Sequence, residues 1–199
     1  LMPSTISKNI GIGGAADTNA GDLNYDPLLT ALKAGFSEII IGRSDLTGTI
    51  SAGSATTSSA QTLQLFAGGD GGAIKATDDI TLPSGKGLTL TSNDISFGGK
   101  TISGTGTLVL QPRLSNSTIH IGGTTGDLNI SQADINSLAN GWNAIVIGQD
   151  DSTHAVTIDT IDFRDPLVIR ANLWKGNGSI TVNGQITGTD NASVRFEGS

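Results

Sequence analysis

Short runs that alternate apolar and polar residues recur along this chain. Leu88-Thr-Leu90, Ile119-His-Ile121, Val156-Thr-Ile158 and Ile180-Thr-Val182 show the alternation most plainly. A period of two places Leu, Ile and Val on one face of a strand and Thr, Ser, His or Lys on the other. The pattern predicts strands at 38–41, 48–51, 62–66, 73–75, 79–82, 87–90, 94–97, 100–102, 107–110 and 118–121, then at 143–147, 155–158, 167–170, 179–182, 185–186 and 193–196. Glycine-rich corners separate them, among them 68–72, 84–87, 104–106 and 176–178. Leu63, Leu88 and Leu108 each open an apolar pair, and they stand 25 and 20 residues apart. That spacing suits one turn of a parallel β-helix, in which a strand stacks on its equivalent one turn later.

The alternation breaks in two places, and the two places match. Residues 21–42 and 126–148 each read as a strand end, a short helix, a glycine stop and a new apolar strand. Asp26 with Pro27 suits the first helix start, and Ser131 with Asp134 the second, while Gly35 and Gly141 suit the stops. Leu29, Leu32 and Phe36 form an apolar stripe that Ile135, Leu138 and Trp142 repeat. Ile41 aligns with Ile147, an offset of 147 − 41 = 106 residues, and the same offset relates Ile74 to Ile180, Leu88 to Val194 and Leu90 to Phe196. The expected fold is therefore all-β with short helical excursions: a right-handed parallel β-helix. The predicted organisation is one continuous solenoid over 1–199, with a first repeat at 1–117 and a second, truncated one at 118–199. Tandem β-sandwich repeats are the alternative, for which Asp70-Gly71 and Asn183-Gly184 would supply hairpin turns.

Composition agrees with a narrow aliphatic interior. Of 199 residues 28 are Gly, while aromatics make up only 4% and charged residues 15%. The net charge of −7 disfavours nucleic acid and anionic lipid as partners. With no Cys, neither disulfides nor thiolate chemistry is possible. No apolar run has the length needed to span a bilayer, so membrane insertion is not expected.

Several stretches resemble repeat regions of large secreted bacterial proteins of the filamentous-haemagglutinin-like adhesin type. They are Gly126-Asp-Leu-Asn-Ile, Leu138-Ala-Asn-Gly-Trp, Ile145-Val-Ile-Gly148 and the tail Gly178-Ser-Ile-Thr-Val with Ile186-Thr-Gly-Thr-Asp-Asn-Ala192. The resemblance implies the right-handed β-helix, an extracellular, cell-surface location and a part in adhesion.

Candidate chemistry is sparse, and no enzyme is expected. His120 and His154 each stand alone in the sequence, and no serine is singled out as a nucleophile. The acids cluster at Asp78-Asp79, Asp150-Asp151 and Asp159/Asp162/Asp165, with Arg164, Arg170 and Lys175 near the last. Such a group would serve a polysaccharide lyase or hydrolase if it lined a groove. Asp162 and Asp165 flank Arg164 and precede Pro166, a stretch that reads as a turn. The oxygen-rich loop 149–153 offers at most weak surface calcium binding, and no cofactor is expected. A carbohydrate-binding module would need an exposed aromatic: Trp142 aligns with Phe36 and reads as core, which leaves Trp174 as the candidate ligand contact. The reading that best joins these points is a non-enzymatic stalk or adhesion segment. Its partners would be neighbouring repeats of the same chain and extracellular polysaccharide or cell-surface glycan.

Overall fold

The computed structural model is a parallel β-solenoid of about six turns. It describes residues 2–13, 23–25, 31–32, 35–53, 60–171 and 177–198, with main chain only at 60 and 61. Among these residues every strand pair is parallel, which rules out the β-sandwich. The twenty strands among the described residues lie on three faces. The second face begins with β1 (Ile10–Ile12), β2 (Leu23–Asn24), β4 (Thr49–Ala52), β6 (Ala73–Ala76) and β9 (Asp94–Ser96). It continues with β12 (Ile119–Ile121), β13 (Leu128–Ile130), β15 (Ala155–Ile158) and β18 (Ser179–Val182), and β13 lies against β9. The third face holds β7 (Ile80–Thr81), β10 (Ile102–Ser103), β16 (Ile161–Phe163) and β19 (Ile186–Gly188). The first face is one seven-stranded sheet: β3 (Phe36–Arg43), β5 (Ala60–Ala67), β8 (Gly87–Thr91), β11 (Thr107–Gln111), β14 (Ala144–Ile147), β17 (Leu167–Arg170) and β20 (Val194–Glu197).

Inside the first face the register stacks like on like. Ile39, Leu63, Leu88, Leu108, Ile145 and Leu167 form one inward column, and Ile41, Leu65, Leu90, Leu110, Ile147 and Ile169 form the next. All twelve are buried. Burying each such side chain is worth about 1.5–3 kcal/mol, so these ladders supply much of what holds the turns together. The columns pass from β11 to β14, across the boundary between repeats, with no break in register. They end on Val194 and Phe196, which follow in register but are 47% and 46% exposed.

The sequence repeat is a structural one. Ile74 and Ile180 occupy the second face, Ile80 and Ile186 the third, and Leu88 and Val194 the first. The glycines repeat their backbone as well: Gly42 and Gly148 have φ of 104° and 97°. A Cβ on either would come within 2.0 or 2.1 Å of a carbonyl oxygen on the next turn, so only Gly fits. On the first face the offset of 106 fails at one rung. Leu63 follows Ile39 in the ladder as Leu167 follows Ile145, and 167 − 63 = 104. The first repeat therefore spends two more residues between those rungs.

One helix, α1 (Gln132–Asn136), takes the place of a third-face strand. Ser131 caps it in a full capping box: its Oγ accepts the Asp134 N–H, and the Asp134 carboxylate accepts the Ser131 N–H. The helix is shorter than predicted. After Ser137 the chain runs extended: the Ile102 N–H donates to Ser137 O and the Ala139 N–H to Ile102 O, so Leu138 joins β10 as a strand residue would. Gly141, at φ 127°, then turns the chain, and Trp142 is buried as predicted. The matching helix predicted from Asp26 falls mostly outside the described residues; Phe36, the counterpart of Trp142, is 46% exposed on β3. No helix among the described residues is long and apolar enough to cross a membrane.

Candidate functional site

Because α1 stands where a strand would, the third face is interrupted. β16 and β19 pair with each other, but among the described residues β16 has no strand on its other side. Between α1 and β16 lies a cleft of about 230 Å³. Its floor is apolar, made by Ile135, Leu138 and Ile145, and its walls carry Asp162, Arg164, Asp165 and the hydroxyls of Thr187 and Thr189. Asp162 and Thr187 are register partners on β16 and β19, which fixes their side-by-side placement.

Both ends of the cleft are tied. At one end the Asp162 N–H donates to Gln132 Oε1 at 2.8 Å, and Gln132 Nε2 donates to Asp162 O at 3.3 Å. At the other, Asn140 Nδ2 donates to Asp190 Oδ2 at 3.2 Å. Asp165 is buried, at 1% exposure, and its Oδ1 accepts the Gly141 N–H at 2.8 Å. Burial pushes its carboxyl above the usual carboxylate range, against the pull of the Gly141 and Trp142 N–H groups. Asp165 thus pins the glycine turn that follows α1. Asp162 and Arg164 are exposed, and Arg164 makes no ion pair among the described residues.

Comparison with protein-family models, curated proteins and solved structures returns no match.

The acidic cluster anticipated at Asp159, Asp162 and Asp165 is divided by the fold. Asp162 lies in β16 rather than in a turn, and only Asp162 and Asp165 reach the cleft. Of the basic residues near them, Arg164 reaches it. Arg170 points from the first face to Glu197 at 2.7 Å and Asp150 at 3.3 Å. Lys175, and Trp174 as the proposed ligand contact, lie outside the described residues. Asp79 accepts the Thr101 N–H at 2.7 Å, a bond between third-face turns. In the 149–153 loop, Ser152 is buried and donates to Ala171 O at 2.9 Å. No group of three or more His, Asp or Glu side chains among the described residues is placed to hold a metal ion.

Asp159 goes to His120, which is not the isolated surface residue the sequence suggested. His120 Nε2 lies 2.9 Å from Asp159 Oδ2, and Nδ1 lies 2.7 Å from Thr125 Oγ1. The Thr125 N–H also donates to Nδ1, at 3.2 Å. Nδ1 is therefore the acceptor and Nε2–H the donor. The ring is nearly buried because the loop between β12 and β13 folds over it, and a Cβ on Gly123 would sit 2.2 Å from the imidazole. The Thr–His–Asp series ties this loop to Asp159, the residue that follows β15 on the next turn. His154 is wholly buried; Nδ1–H donates to Ser117 O at 2.8 Å and Nε2 has no partner among the described residues. Desolvation lowers its pKa, partly opposed by that hydrogen bond.

Proposed function

We propose that this chain is a non-enzymatic segment of a secreted bacterial surface protein, acting as a rigid stalk or adhesion module. The observation that supports this most is the unbroken inward ladder of the first face. It crosses from one repeat to the next at Leu108–Ile145 and Leu110–Ile147, so each repeat closes its interior on its neighbour's residues. The ladder then ends on two half-exposed apolar residues, Val194 and Phe196. In this reading the partner of such a surface is a neighbouring repeat of the same kind. An all-parallel stack is stiff along its axis because every turn is hydrogen-bonded to the next.

Small-angle X-ray scattering tests the reading. The chain is compared with the same chain lengthened by one repeat-sized unit copied from 94–199. A repeat contributes four first-face rungs, so the maximum dimension is expected to grow by about 19 Å at ~4.8 Å per rung. Growth as two loosely joined bodies, with a flexible scattering profile, would count against a stalk. Release of reducing ends from neutral or acidic polysaccharides would remove the non-enzymatic part.

A further inference from the structure

We propose that the cleft between α1 and β16 binds one neutral pyranose ring of a glycan. This goes beyond the stalk reading and does not depend on it. The cleft is amphipathic in the way a sugar is. Ile135 and Leu138 form an apolar floor that suits the C–H face of a ring, while Asp162, Arg164 and Thr187 stand around it. Asp162 accepts from hydroxyls, Arg164 donates in a planar fork, and Thr187 does either, so the wall matches groups that donate and accept at every carbon.

Charge and size narrow the class. Asp162 and Asp165 line the cleft beside the single cation Arg164, and Asp190 lies close to Asp165, so an anionic sugar is repelled, whereas a neutral ring needs no counter-charge. At about 230 Å³ the cleft falls below the range of drug-sized ligands, about 300–1,000 Å³, and suits a single ring. Its two ends are tied by Gln132–Asp162 and Asn140–Asp190, so it does not require ligand to form.

The repeat supplies a comparison within the molecule. The solenoid keeps its inward columns in both repeats. The stretch of the first repeat that precedes β5, 54–59, reads Ser-Ala-Thr-Thr-Ser-Ser and carries no charged residue. In the second repeat the stretch before β17 is Ile161-Asp-Phe-Arg-Asp-Pro166. The charges of Asp162 and Arg164 are therefore not part of the sequence repeat.

The test is an NMR titration of the whole labelled chain with the methyl glycosides of glucose, galactose and mannose, and with methyl glucuronide and glucosamine as charged controls. Saturable shifts at the Asp162, Arg164 and Thr187 amides are expected with a neutral glycoside, at a dissociation constant in the millimolar range. Arg164→Gln and Asp162→Asn are both exposed, so melting temperature should be unchanged while affinity falls at least about tenfold. No saturable shift with any neutral glycoside overturns the proposal. So does stronger binding of a charged control, or binding that both variants retain.

Discussion

The side chain of Gln132 pairs with the backbone of Asp162 as a strand would, accepting its N–H at 2.8 Å and donating to its carbonyl at 3.3 Å. One amide thereby stands in for the ladder that α1 interrupts. Gln132→Ala leaves both backbone groups to water, and a loss of about 0.5–1.5 kcal/mol is expected because the site is exposed. Hydrogen exchange should locate the effect: protection at Asp162 falls while that at Leu108 in β11 stays. Gln132→Glu keeps the acceptor and loses the donor, and should fall between the two.

Gly123 and His120 make a second such pair. A methyl at Gly123 would meet the imidazole at 2.2 Å, and the ring is held from moving by Asp159 and Thr125. Gly123→Ala should therefore destabilise by about 1–3 kcal/mol, the usual cost of overpacking. His120→Ala removes the obstacle, so the double variant should lose less than the sum of the single ones. Denaturant midpoints of the four proteins check this; strict additivity would mean that the loop does not rest on the ring.

The inward columns were legible because alternation is a local signal and repeats at a fixed distance. Leu88, Leu108, Ile145 and Leu167 all fall within predicted strands. The Ser131 cap was legible for the same reason, since the capping box lies within four residues. β16 was not, because three residues give too little alternation and Asp162, Arg164 and Asp165 drew attention as a charged turn. The joining of His120 to Asp159 was hidden because they stand 39 positions apart: only the stacking of β12 on β15 brings them together. The cleft was hidden too. It arises from what α1 replaces, and a sequence does not state which strand is missing. A hint was available in the Leu138-Ala-Asn-Gly-Trp stretch, where Leu138 lies two residues past the end of the helix.

His154 makes stability depend on pH in a stated direction. Burial lowers its pKa in the folded chain, so between that value and the ordinary one near 6.5 the unfolded chain binds more protons. Stability is then full above about pH 6.5 and is lost as the pH falls towards the folded-state pKa. The melting temperature should decline over that window. His154→Asn can still donate to Ser117 O, and it cannot be protonated; its melting temperature should change less between pH 7 and pH 5.5. An equal slope in the two proteins would assign the dependence to other groups.

The exposed end of the ladder predicts a gradient of mutational cost along one column. Leu108 and Val194 occupy the same column of the first face, but Leu108 is fully buried between β8 and β14 whereas Val194 is 47% exposed on β20. Leu108→Ala creates a cavity and should cost about 2–5 kcal/mol. Val194→Ala removes atoms that already meet water on one side, and a cost below about 1 kcal/mol is expected. Lengthening the chain by the further repeat used for scattering should change this. If a new turn stacks on β20, Val194→Ala becomes a core substitution and its cost rises towards that of Leu108→Ala. Urea midpoints of the two variants, in the chain and in its lengthened form, decide the matter: a Val194 cost that stays low in both would mean that the added turn does not stack there.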